Sequence, residues 1–169
     1  PSGNKNAPLP IVAPTLLTTE EVVLENVPRI RDIETLVELV RTVGAEIEWS
    51  ARNTLRVRVA EVRAASLDRE LCAKIRGAIL LVVPLLARCG EITLPPPGGD
   101  VIGRRRLDTH FLALQQLGAE FTVSDVFEFR ARQLRGTDIF LDEPSVTGTE
   151  NAIKAAVAAD GTTVLRNAA

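Results

Sequence analysis

A short pattern that returns at a nearly fixed period constrains this chain more than any other feature. The run Val43-Gly44-Ala45-Glu46-Ile47 comes back as Leu117-Gly118-Ala119-Glu120-Phe121, 74 residues on. Glu21-Val22-Val23-Leu24 returns as Glu91-Ile92-Thr93-Leu94 after 70 residues, and as Thr162-Thr163-Val164-Leu165 after a further 71. Pro14 and Pro84 also lie 70 apart, each ahead of a Leu-rich helix end. Self-similarity of this kind marks stacked supersecondary units.

Each unit reads alike. An apolar helix opens it: residues 6–17, 70–88 and 150–159, with apolar side chains on most sides, as buried helices have. A short strand follows, then an amphipathic helix. Ile33, Leu36, Val37 and Val40 form the apolar stripe of that helix in the first unit; Leu107, Phe111 and Leu114 form it in the second. Gly44 and Gly118 stop these helices, because glycine accepts the left-handed cap. Two strands close the unit, 46–49 and 55–59 in the first; Leu55, Val57 and Val59 alternate with Arg56 and Arg58, as in a half-buried strand. The expectation is a single α/β domain of βαβαββ units at about 1–53, 54–135 and 136–169. The third unit has its first helix and strand only, so the chain is read as a fragment of a longer protein.

Composition removes several function classes. The formal net charge is -2 and aromatic content is 4% with no Tyr, which argues against a nucleic-acid surface or stacking platform. The longest apolar run, 78–87, is interrupted by Pro84 and too short to span a bilayer. Cys72 and Cys89 form no CxxC pair and stand beside no histidine cluster, so no metal and no cofactor is expected, and both read as reduced thiols of a cytoplasmic protein.

Three stretches could carry chemistry. In the first, Leu94-Pro95-Pro96-Pro97-Gly98-Gly99-Asp100-Val101-Ile102-Gly103-Arg104-Arg105-Arg106-Leu107-Asp108, prolines stiffen the base, glycines free the tip, and three arginines precede a helix. Guanidinium groups and helix-start amides favour phosphate, although a solvated basic turn would look the same. The first unit spends only residues 25–32 on the same connection, so the loop is an insertion. In the second stretch, Ser2 to Pro10, Lys5 and Asn6 start an apolar helix, where Lys5 either meets an anion or faces solvent beside an Asn cap. The third, Asp142 to Asn151, leads into the last apolar helix; Thr147 with Glu150 three residues on fits a capping box, and its hydroxyls and amides either cap that helix or hold a ligand. His110, the single histidine, is read as a packing or helix-surface residue.

In this order and spacing, SGNKNAPLP at 2–10, ENVPRIRDIETL at 25–36, PLLARCGEITLPPPGGDVIGRRRLDTH at 84–110, LGAEF at 117–121, PSVTGTEN at 144–151 and GTTVLRNAA at 161–169 resemble the first part of enolpyruvyl transferases of the UDP-N-acetylglucosamine 1-carboxyvinyltransferase kind. Enolpyruvylshikimate phosphate synthase belongs to the same broader family. The resemblance implies an inside-out α/β barrel domain with its third unit truncated. It implies transfer of enolpyruvyl from phosphoenolpyruvate to the 3-hydroxyl of UDP-N-acetylglucosamine, and a second domain that completes the site. By the same resemblance Lys5 meets phosphoenolpyruvate and Asn6 the sugar nucleotide. Arg76 lies at the substrate site, and Arg105 meets substrate phosphate. Leu107, Asp108 and Thr109 fall on the uridine-contacting segment, as do Ser145 and Val146, and Arg106 beside them is counted with the substrate-binding residues.

Three positions depart from the family pattern. Asp100 stands where the loop usually has Cys, Arg106 where Pro is usual, and Glu143 where Lys is often found. The reaction is an addition followed by an elimination. An acid protonates the methylene carbon of phosphoenolpyruvate while the sugar hydroxyl attacks the adjacent carbon, and a carboxylic acid can serve in place of a thiol. Arg104, Arg105 and Arg106 favour the ionised form of Asp100, whereas desolvation on closure and an adjacent phosphate dianion favour the acid. The departures leave two other readings open: an enolpyruvyl transferase for a different nucleotide or sugar-phosphate acceptor, or a non-catalytic binding domain of the same fold.

Overall fold

The structure, a computed structural model, describes residues 3, 4, 6–99 and 106–169. The chain runs α1 (Pro8–Val12), a 3-10 helix (Ala13–Leu17), β1 (Val22–Leu24), α2 (Arg31–Thr42), β2 (Glu46–Ala51) and β3 (Thr54–Arg58). It continues with α3 (Arg69–Cys72), a 3-10 helix (Arg76–Leu81), α4 (Val82–Cys89), β4 (Glu91–Leu94), α5 (Asp108–Gln116), β5 (Glu120–Val123) and β6 (Phe127–Arg130). The parallel pair β7 (Asp138–Phe140) and β8 (Val164–Arg166) flanks α6 (Val146–Ala158).

The repeat is visible in the pairing. The first sheet has order β1-β3-β2 and the second β4-β6-β5, both antiparallel. Each therefore places the unit's last strand between the other two. Val22 faces Val57 and Leu24 faces Leu55; in the second sheet Ile92 faces Phe129 and Leu94 faces Phe127. A parallel bridge from Ser66 to Thr93 lies beside the second sheet. β3 completes the first sheet, just past the 53/54 division expected from sequence.

The helices lie inside and the sheets outside. Every residue from Ala78 to Leu86 is buried, whereas strands such as β3 alternate buried and exposed positions. α4 packs on the Ala13–Leu17 turn and on α6. α2 turns Ile33, Leu36, Val37 and Val40 into the core, and Gly44 ends it at φ +108°. α5 docks through Phe111, whose ring lies 5.3, 5.1 and 5.2 Å from those of Phe121, Phe127 and Phe129. No helix among the described residues is long and apolar enough to cross a membrane.

Two expected helices are interrupted, and proline contributes to both interruptions. The helix expected over 6–17 is α-helical only to Val12 and continues as 3-10, since Pro14 offers no N–H to the carbonyl one turn back. The helix expected over 70–88 breaks into α3, a 3-10 segment and α4. The i to i+4 rule would pair the Leu80 carbonyl with the N–H of residue 84, and that residue is Pro84. Lys154 of α6 supplies the missing donor, its Nζ lying 2.9 Å from Leu80 O. Asn151, one turn earlier, donates from Nδ2 to Ile79 O at 3.1 Å. α6 itself begins at Val146, four residues ahead of the expected 150.

Lys154 keeps a charged side chain in the core, and burial pulls its ammonium down to about 7, Glu150 opposing. The folded state therefore releases a proton that the unfolded chain holds up to 10.5, so stability rises with pH across that window. Burial holds Cys72 up to about 12 against an ordinary 9.0, which opposes the trend above pH 9. Between pH 7 and 9, denaturant unfolding of the wild type is expected to show stability climbing toward a slope of about 1.4 kcal/mol per pH unit, and Lys154→Met to remove the climb.

Candidate active site

The N-terminal segment is set by Asn4. Its Oδ1 accepts from the N–H groups of Asn6 at 3.0 Å and Ala7 at 2.9 Å, starting α1 and placing Asn6 on the wall of a cavity of about 400 Å³. Arg76, Gly99, Val146, Thr147 and Glu150 line the same cavity. Chain segments from all three units thus converge on one space.

The proline-glycine loop enters along a fixed path. Gly98 N–H donates to Cys72 O at 3.0 Å, and a Cβ at Gly98 would stand 1.8 Å from Ala73 O. Only glycine lets the strand pass this close to the end of α3. Gly99 follows at φ +95°, where a Cβ would crowd the Arg76 amide at 3.1 Å. The loop base is thereby pressed against the segment that carries Arg76.

Arg76 also borders a second cavity of about 750 Å³ with Arg106, Leu107, Asp108, Phe111 and Phe127. Its Nη2 donates to Arg106 O at 3.1 Å, tying the 3-10 segment to the start of α5. Arg106 meets Asp108 Oδ2 at 2.8 Å and Asp142 Oδ2 at 3.5 Å. The hydrogen bond to Asp108 raises the Arg106 pKa, and the guanidinium stays charged. Thr109 is buried and donates its hydroxyl to Asp142 Oδ1 at 2.6 Å. A wider cleft of about 900 Å³ lies at the far end of the β4–β6 sheet beside Arg130, Arg132 and Arg135, and none of the candidate site residues lines it.

The start of α6 corrects the capping box expected at Thr147 and Glu150. The cap is Ser145, whose Oγ accepts from Gly148 N–H at 3.1 Å. Ser145 sits in the extended conformation a cap requires, whereas Thr147 is already helical. Glu150 turns to the cavity wall instead; its Oε2 is buried without a hydrogen-bond partner, and burial raises the carboxyl pKa. His110 is 3% exposed and lies between Asn151, 2.9 Å from Nδ1, and Thr147, 3.3 Å from Nε2. Burial, with Arg76 and Lys154 adding positive charge, holds the imidazole down to about 4, so it is neutral at physiological pH.

Of the residues singled out from sequence, Asn6, Arg76 and Val146 meet on the smaller cavity. Arg76, Arg106, Leu107 and Asp108 meet on the larger. Thr109 is engaged with Asp142, and the Ser145 side chain caps α6. Lys5, Asp100 and Arg105 lie outside the described residues. Sequence reasoning left Thr147 open between a cap and a ligand contact, read Glu150 only as its capping partner, and passed over Asp142 as the carboxylate that holds the α5 entry. Three-residue spacing drew the first two toward a cap, and nothing local marks the third.

The family model for EPSP synthase (3-phosphoshikimate 1-carboxyvinyltransferase) matches residues 1–169. The chain belongs to that family. It is 70% identical over its whole length to a UDP-N-acetylglucosamine 1-carboxyvinyltransferase from Bradyrhizobium diazoefficiens, and 50% identical over 168 residues to one from Treponema denticola. It spans 39% of the length of each of these relatives. Among solved structures, the enolpyruvyl transferase NikO from Streptomyces tendae superposes with a TM-score of 0.82 at 23% identity, over 97% of this chain and 39% of that one. EPSP synthase from Acinetobacter baumannii gives 0.74 at 16%, over 96% of this chain and 38% of that one. These likenesses establish the enolpyruvyl transferase fold: outer sheets around inner helices, with no closed barrel among the described residues.

The close pass at Gly98 yields a direct test. Gly98→Ala must push the loop base away from Ala73, with an expected loss of about 1–3 kcal/mol in stability. Arg76 and the loop then move together, so substrate affinity of the full-length protein should fall with it. Denaturant unfolding and calorimetric titration read the two effects.

Proposed function

We propose that the longer protein containing this chain transfers the enolpyruvyl group from phosphoenolpyruvate to the 3-hydroxyl of UDP-N-acetylglucosamine, releasing phosphate. In this reading it carries out the first committed step of peptidoglycan synthesis in the cytoplasm. The observation that carries the proposal is the cavity where Asn6, Arg76 and Val146 converge beside the base of the Pro-Gly-Gly loop, in a chain 70% identical to a relative of that name. Arg76 supplies a guanidinium for an anionic substrate, and Asn6 a neutral amide for the sugar nucleotide. Lys5 and Arg105 add positive charge for the phosphates, the segments Leu107–Thr109 and Ser145–Val146 form the uridine side, and Asp100 acts as the acid at the methylene carbon. Residues of a second domain supply the base for the sugar hydroxyl, so these 169 residues alone do not turn over.

One observation favours a second acceptor. Arg106, standing where the family pattern has Pro, is engaged by Asp108 and Asp142, and Glu143 follows directly. Three carboxylates around one guanidinium make this wall less welcoming to a pyrophosphate than a free arginine would be. An enolpyruvyl transferase taking another nucleotide or sugar phosphate fits that wall, and phosphate release compared across acceptors separates the two readings.

The acid assignment is tested in the full-length protein. Asp100→Asn should lower phosphate release by at least ~100-fold, in keeping with the worth of a general acid; normal turnover would remove the role. A carboxylate is a poor nucleophile toward the epoxide fosfomycin, which acts on this family by alkylating the loop thiol. Time-dependent inactivation of the wild type should be absent, and Asp100→Cys should introduce it. A covalent adduct on Asp100 would contradict this.

A further inference from the structure

Thr147 is the group whose chemistry the reading above leaves unused. It stands in the first turn of α6 on the wall shared by Asn6, Arg76 and Gly99. Ser145 has taken the capping task, so the Thr147 hydroxyl is not spent on the helix. Behind it a chain of polar groups runs from Thr147 Oγ1 into the core: the two ring nitrogens of His110, the Asn151 amide, and Ile79 O.

The direction of every bond in that chain is determined. Ile79 O can only accept, so the Asn151 atom facing it is the amide nitrogen. The same nitrogen faces His110 Nδ1 at 2.9 Å and offers only N–H groups, so Nδ1 must be the acceptor. A neutral ring then carries its proton on Nε2. Nε2–H donates to Thr147 Oγ1 at 3.3 Å. A second ring proton on Nδ1 would oppose the Asn151 N–H, in line with an imidazole held down to about 4. A hydroxyl that accepts from a fixed donor keeps its own proton to give, and Thr147 lines the cavity. Among the described residues nothing donates to the neighbouring Glu150 Oε2.

We propose that Thr147 Oγ1 is a substrate-binding group that donates its proton to a phosphate or carboxylate oxygen in the cavity beside Arg76, with Asn151 and His110 as positioning residues that set the direction of donation. The inference rests on the enolpyruvyl transferase reading and deepens it. Phosphoenolpyruvate and the sugar nucleotide both offer such an oxygen.

The test uses the full-length protein. Thr147→Val keeps the shape and removes the donor; Thr147→Ser keeps the donor. KM is measured separately for phosphoenolpyruvate and UDP-N-acetylglucosamine, and Kd for each by calorimetry. Thr147→Val should raise both constants ~tenfold for one substrate and leave the other unchanged, the size of one hydrogen bond to a charged group. The substrate that shifts is the one Thr147 touches. Thr147→Ser should stay within ~twofold of wild type. His110→Gln should weaken the same substrate, and combined with Thr147→Val should add no further loss. Nitrogen NMR of the wild type should find the proton on Nε2. Wild-type turnover with an unaffected Thr147→Val overturns the contact alone, as does a proton on Nδ1 overturn the relay. A wild type that releases no phosphate from this substrate pair removes the functional reading, and the contact with it.

Discussion

The carbonyl of Leu80 has no i+4 N–H to accept from, because the residue one turn on is Pro84, and everything from Ala78 to Leu86 is buried. An orphaned buried carbonyl costs about 1–3 kcal/mol. Lys154 answers it from α6 at the expense of burying an amine, and Asn151 adds a bond to the neighbouring carbonyl of Ile79. The break in the helix is thus held open by side chains of another unit. The 3-10 segment that leads into this join begins at Arg76, which borders two cavities.

The same economy of shared bonds joins the first two units. Arg88, in the last turn of α4, donates to Leu16 O and Thr18 O at the end of the first apolar segment, and to Val59 O and Ala60 O just after β3. One guanidinium closes four carbonyls that neither sheet nor helix satisfies. Its planar fork can reach several acceptors at once, which a lysine at this place could not.

The α/β plan was legible from the sequence because it repeats. Val22, Leu24, Leu55 and Val57 share one sheet face, and Gly44 and Gly118 end helices with positive φ, as their spacing implied. The helix breaks were not legible. Pro84 announces a lost donor, but whether a helix kinks, stops or turns 3-10 depends on what fills the gap, and Lys154 lies far along the chain. Asn6 and Arg76 were named through the resemblance alone, and the fold puts both on the wall of one cavity. The site was illegible where a partner decides the role. Ser145 and Thr147 are both hydroxyls near the start of α6, and sequence spacing favoured Thr147 as the cap; the backbone conformation gives the cap to Ser145.

Partner-dependence also explains why a buried histidine matters more than its burial suggests. His110 joins α5 to α6 through side chains only, while Asn151 carries the connection on to the 3-10 segment. Each of these three elements presents a cavity-lining residue: Asp108, Thr147 and Arg76. An apolar residue in place of His110 could fill the volume but could not fix the sense of the hydrogen bonds around it. A protonated one would face the Asn151 amide with like dipoles and sit near two cations. Only the neutral ring satisfies both neighbours, so the environment that suppresses its charge is also the one that keeps three walls of the site in register.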